Sequence, residues 1–135
     1  MEENTMNNTY FQAMSQTFTK YERARAAQEP DLEYPFTDGQ AKAYRAWVSS
    51  TRNESNLFEV QDLPWPREIR DFVETLRAAG VTEFAVTDCS TGLMEGIHLL
   101  AAEGCAMEGL CRVTRKEIFC GKEGFFKHQG ILFRT

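Results

Sequence analysis

The chain has 135 residues, 42% of them hydrophobic and 26% charged, and its 20 acidic against 15 basic side chains leave a net charge of −5. Those values suit one folded domain with its own core and exclude the low-hydrophobicity, high-charge signature of disorder. The mild acidity makes duplex nucleic acid a poor partner, since DNA binders carry a basic stripe, and no apolar run approaches the ~20 residues of a membrane-spanning helix.

The first eight residues, MEENTMNN, carry no periodicity and read as a disordered tail, with neither the basic start nor the apolar stretch of a secretory signal. A cytoplasmic protein with four reduced cysteines is therefore expected. Tyr10, Phe11, Met14, Phe18 and Tyr21 then recur at helical spacing, predicting a helix over about 9–28 that stops before Pro30. Residues 31–36 form an extended connector. Thr37, followed three residues on by Gln40, is a capping-box pattern that opens a helix through about Ser49, with Ala41, Tyr44, Trp47 and Val48 on its apolar face. A polar, turn-rich run follows. Leu57, Phe58 and Val60 make either a short strand or a loop packed on the core.

Pro64 and Pro66 mark the start of a helix whose buried stripe is Ile69, Phe72, Val73 and Leu76 and which Gly80 ends. Val81–Thr87 reads as a strand, and the turn Asp88-Cys89-Ser90-Thr91-Gly92 leads into a helix capped by Ser90, with Leu93, Met94, Ile97, Leu100 and Ala101 facing inward and Gly104 at its end. A long strand over 107–118, on which Cys111 alternates with Met107 and Val113, leads to a hairpin apex at Gly121–Gly124 and a partner strand over 125–134. Alternation fails near Gly109 and Gly130, the mark of a bulge or of close backbone approach. The expected fold is thus mixed α/β over a single domain, residues 9–135. About four helices pack on a small sheet of three strands, extendable to four, with a parallel strand-helix-strand crossover and a C-terminal antiparallel hairpin.

Chemistry concentrates at Asp88, Cys89, Ser90, Thr91 and Gly92, because a helix amino terminus fed by a strand presents free N–H groups and a positive dipole end that attract an anion. The turn lacks the spaced glycines of a dinucleotide site and the Gly-Lys-Ser/Thr phosphate loop, and ordinary capping explains Asp88 and Ser90 as well. A dipole-activated Cys89 needs a base, and the only candidates are His98, far along the same helix, and His128. Cys105, Cys120 and His128 are the nearest approach to zinc ligands, but no Cys-x-x-Cys pair exists, so neither metal nor cofactor is expected. Phe119, Phe125 and Phe126 cluster about the hairpin, where exposure would create a sticky patch for a protein partner; curling back onto the helices is the competing reading. Arg112, Arg115 and Lys116 offer a weaker RNA-binding reading, and the hairpin or the outer strand offers pairing into a homodimer.

The stretch from Ile69 to Arg115, with its pieces RDFVETLRAAG, VTDCSTGLMEG and CRVTRKE, resembles a family of small uncharacterised bacterial proteins with a domain of unknown function, and the resemblance extends from Tyr10 to Arg134. It implies a setting in gut anaerobes and their mobile elements, and hence an accessory or counter-defence factor that binds an as yet unknown protein partner. It implies no activity and no catalytic residue. A non-enzymatic interaction or regulatory role is the first expectation, and a small enzyme or anion-binding domain using residues 88–92 is the second.

Overall fold

The computed structural model describes residues 8–135; the tail expected at the amino terminus lies outside them except for Asn8. That residue is buried and caps the first helix, its Oδ1 accepting from the Phe11 N–H (3.1 Å) and its Nδ2 donating to the Ala79 carbonyl (2.9 Å). Helix α1 runs Thr9–Ala26 and ends slightly earlier than the apolar spacing suggests, because Gln28 turns left-handed at φ 56°. Helix α2, Asp38–Arg52, opens with the expected reciprocal box of Thr37 and Gln40. A short 3-10 turn over Pro66–Glu68 feeds α3, Ile69–Ala78, which buries the expected stripe Ile69, Phe72, Val73 and Leu76. Helices α2 and α3 approach so closely at Gly39 that a Cβ there would lie 2.6 Å from the Phe72 nitrogen.

Four strands, β1 Glu59–Val60, β2 Glu83–Val86, β3 Ala106–Phe119 and β4 Lys122–Arg134, form one mixed sheet in the order β1-β2-β4-β3. The stretch left open between strand and loop therefore contains a strand of two residues. The adjacent parallel pair is β1 with β2, connected through α3, whereas β3 shares the direction of β2 but lies beyond β4. Between β2 and β3 runs α4, Leu93–Ala102. It turns Gly96 and Leu100 inward and leaves Met94 and Ala101, both expected inside, exposed to solvent.

The hairpin turns at Cys120-Gly121, both at positive φ (52° and 78°), as the two-residue turn that matches strand twist requires. The apex thus precedes the expected Gly121–Gly124, and Lys122 already pairs with Phe119. At Gly109, φ 118°, a bulge shifts the register so that Met107 stands opposite Phe133 and Cys111 opposite Gly130. Met107 therefore leaves the face of Cys111 and Val113, contrary to simple alternation. Gly130 marks the close approach, since a Cβ would lie 3.1 Å from the Val86 carbonyl oxygen.

The core is one cluster of buried side chains. Phe11 stacks on Trp47 at 5.6 Å, Phe84 on Phe133 at 5.6 Å, and Phe72 meets Phe84 edge-on at 6.4 Å. Each fully buried ring contributes on the order of 1.5–3 kcal/mol of transfer free energy. Only Ile131–Arg134 of β4 pair with β2, so the remainder of the hairpin overhangs as a two-stranded ribbon. Between Arg112 and Lys116 the outer edge of β3 is closed by the loop before β1. Lys116 N–H donates to the Asn53 carbonyl (2.7 Å), Asn56 N–H to the Thr114 carbonyl (3.2 Å), and Thr114 N–H to Asn56 Oδ1 (2.8 Å).

Candidate functional site

Strands β1 and β2 end side by side, and the loops leaving their carboxyl ends border a cleft of 510 Å3, the position at which open α/β sheets place ligands. Asp88, Ser90, Thr91 and Gly92 line it, together with Trp65 on the facing loop; Cys89 is exposed and is not part of the wall. Asp88 is already engaged: Oδ2 accepts from the Leu63 N–H (2.9 Å) and Oδ1 from the Ser90 N–H (2.7 Å). Burial alone would raise its pKa, but those two N–H donors, the Ser90 side chain and the charge of Lys42 together hold it below the ordinary 3.8. Asp88 thus ties the two loops together as a carboxylate. Drawn into this turn, Ser90 does not cap α4; Gly92 occupies the cap position without a side-chain acceptor.

The charge balance of the cleft is Asp62, Asp88 and Glu95 against Lys42. Such a wall repels a free anion and favours a neutral or cationic group, which would also find the face of Trp65, 66% exposed. Neither histidine joins Cys89: His98 is exposed on α4, and His128 sits on the hairpin between Arg115 and Glu117. Burial pushes the Cys105 and Cys111 thiols up, partly offset at Cys105 by Arg77, which suits packing rather than reactivity. Cys105 precedes β3 and Cys120 forms its far turn, so the strand separates them. Among the described residues no three His, Cys, Asp or Glu side chains converge to hold a metal ion.

A second polar cluster escapes sequence reasoning. Glu59, 1% exposed, lies in the apolar run Phe58-Glu59-Val60, and its Oε2 accepts from Thr87 Oγ1 (2.7 Å) and Arg115 Nη1 (2.6 Å), while Oε1 has no partner among the described residues. Arg115 continues to His128 Nδ1 (3.3 Å), and His128 Nε2 meets Glu117. The His128 hydrogen bond, aided by Arg115 and opposed by desolvation, holds the Glu117 carboxyl below its ordinary 4.5. A lone glutamate within a short apolar strand is the one signal that the sequence offered. The same contacts remove Arg115 from any surface patch, and Lys116 is paired with Glu54 (3.3 Å) and Glu123 (2.5 Å), so two of the three bases considered for RNA are already neutralised.

At the outer end of the hairpin, Ile118 is 75% exposed, Phe119 68% and Phe125 61%, with Phe126 meeting Phe119 edge-on at 6.1 Å. These rings do not curl onto the helices.

The class so defined is a mixed α/β fold, among the described residues four helices on a four-stranded sheet, with an acidic cleft at the ends of its parallel strands and an overhanging hairpin tipped with apolar side chains. The chain belongs to the family described as Domain of unknown function (DUF7698), whose model matches residues 42–135. The match begins inside α2, short of Tyr10. No curated protein matches the chain, and no solved structure does. Among the described residues no helix is long and apolar enough to cross a membrane.

Proposed function

We propose that this chain is a non-enzymatic interaction domain that docks on another protein surface through the outer end of its β3–β4 hairpin. The observation that carries the reading is the exposure of Ile118, Phe119 and Phe125 together on one ribbon end. Single exposed apolar residues are ordinary, but neighbouring ones that a nearby core leaves uncovered mark interaction surfaces. The competing reading, an enzyme or anion site at Asp88–Gly92, is disfavoured by the three carboxylates of the cleft and by the engagement of His128, the base considered for Cys89, with Arg115 and Glu117. The finer setting belongs to the same proposal: a bacterial, cytoplasmic accessory or counter-defence factor of a mobile element, acting by occupying a partner.

A photo-crosslinking amino acid at position 119 tests it in the native cell, with the same group at exposed Gln16 on α1 as control. Discrete adducts from position 119 alone support the reading; no adduct, or identical adducts from both positions, overturns it.

A further inference from the structure

The hairpin closes with Phe119 opposite Lys122 about a two-residue turn, so the residues of β4 in step with Lys122 bond to β3 and those in step with Glu123 point their N–H and C=O groups the other way. Strand β3 obeys the same alternation, since its outward-facing Thr114 and Lys116 are the ones bonded to Asn56 and Asn53. That edge of the overhanging ribbon is therefore closed from Arg112 to Lys116. On the other edge, Glu123, Phe125, Lys127 and Gln129 face outward, and among the described residues no strand or loop backbone bonds to them, because β2 reaches only Ile131. A two-stranded ribbon with an open edge is the least stable form of sheet and a template for a further strand.

We propose that a second copy of this chain supplies that strand, β4 pairing antiparallel with β4 about Phe125. This rests on the reading of the hairpin as a docking element and adds that its β4 edge is occupied by a second copy. The charges select both the partner and the register. An antiparallel copy must set outward residues opposite outward residues. Centring the pair on Phe125 places Phe125 against its own copy and Glu123 against Lys127 on both sides, with Glu123 already drawn toward Lys116 of its own hairpin. Sliding by one side-chain repeat loses both ion pairs, and sliding by a second repeat sets Lys127 against Lys127 or Glu123 against Glu123. In the centred register the copy's strand ends with Lys122 opposite His128; of its turn Gly121 falls opposite Gln129, while Cys120, level with Gly130 where Thr87 stands against the edge, bends away toward its own β3. The copy's strand thus fits in line with β2 instead of colliding with it. The product is a four-stranded antiparallel sheet, β3-β4-β4-β3, with two-fold symmetry and both Phe125 rings at its centre.

Sedimentation of the full chain over a concentration series tests the pairing. The wild type should sediment as a reversible dimer. Glu123→Lys and Lys127→Glu should each weaken dimerisation by about tenfold, since either sets like charges opposite one another twice. An equimolar mixture of the two variants should restore the affinity, because in the mixed pair each side chain at position 123 again faces an opposite charge at position 127 of the other copy. Lys127→Pro removes an outward N–H and no internal ladder bond, and should abolish the dimer with the circular dichroism unchanged. A wild type that is monomeric up to about 1 mM overturns the inference, as does a dimer indifferent to both charge variants. A monomer that still yields a foreign adduct from position 119 overturns self-pairing alone, whereas a monomer with no adduct overturns the docking function as well.

Discussion

Replacing Arg115 with alanine leaves Glu59 as a charge buried to 1% exposure, with one oxygen already lacking a partner and the other keeping only the Thr87 hydroxyl. Removing one member of a buried ion pair costs about 3–5 kcal/mol, far more than the pair contributes relative to apolar residues of equal volume. Against a total stability of about 5–15 kcal/mol this is a large fraction. At a urea slope near 2 kcal/mol/M the unfolding midpoint should fall by about 2 M. The assay is equilibrium urea unfolding followed by circular dichroism at neutral pH, with the slope checked for constancy. Glu59→Gln alone should cost less, about 1–2 kcal/mol, because Arg115 keeps Glu117 and its partial contact with water. The double variant Glu59→Gln/Arg115→Met should recover most of the loss. If Arg115→Ala costs under about 1 kcal/mol, or if the double variant is no better than Arg115→Ala, the charge of Glu59 does not depend on Arg115 and the reasoning fails.

Four further outcomes follow from the same geometry. Gly39→Ala drives a methyl group against the Phe72 nitrogen and the Asp71 carboxylate and should destabilise by about 1–3 kcal/mol, read as a lowered Tm. Cys120→Asn suits the left-handed turn better than cysteine and should raise stability by up to about 1 kcal/mol. Glu117 has a depressed folded-state pKa, so its contribution is complete above 4.5 and is lost as the pH falls through the lower folded-state value; the urea midpoint should drop on acidification, and Glu117→Gln should flatten part of that drop. Asp88→Ala frees the Leu63 and Ser90 amides, so hydrogen exchange at both should accelerate while core amides in β2 stay protected.

The helices were legible because each carries its own signal. Thr37 with Gln40, the 3.6-residue stripe of α3 and the glycines after α3 and α4 act within a few residues of chain, and the structure follows them. The order of the sheet was less accessible, because the side of β2 taken by β4 is decided by packing of residues some 50 positions apart in sequence. Strand β1 contains two paired residues, too few for any period. Ser90 does not act as the cap because its N–H donates to one oxygen of Asp88, whose other oxygen accepts from the Leu63 amide across the cleft. Alternation along β3 also broke where expected, at Gly109, but only the paired register says which residues change face.

The buried network and the open ribbon explain each other. A hairpin that leaves its sheet after Ile131 would ordinarily fray, since two strands alone are marginal. Here the Glu59-Arg115 contact and the loop 53–56 anchor the β3 side of the ribbon to the start of the sheet. An apolar substitute for the pair would pack as well, but it would not fix the direction in which the ribbon leaves, because the guanidinium must reach Oε2, His128 and Glu117 at once. Holding the ribbon in place lowers the ordering entropy that a docking partner must otherwise overcome. The anchoring lies entirely on one edge, and the β4 edge keeps its backbone groups and Phe125 free, which is the arrangement expected of a strand kept for pairing and not of one merely left over.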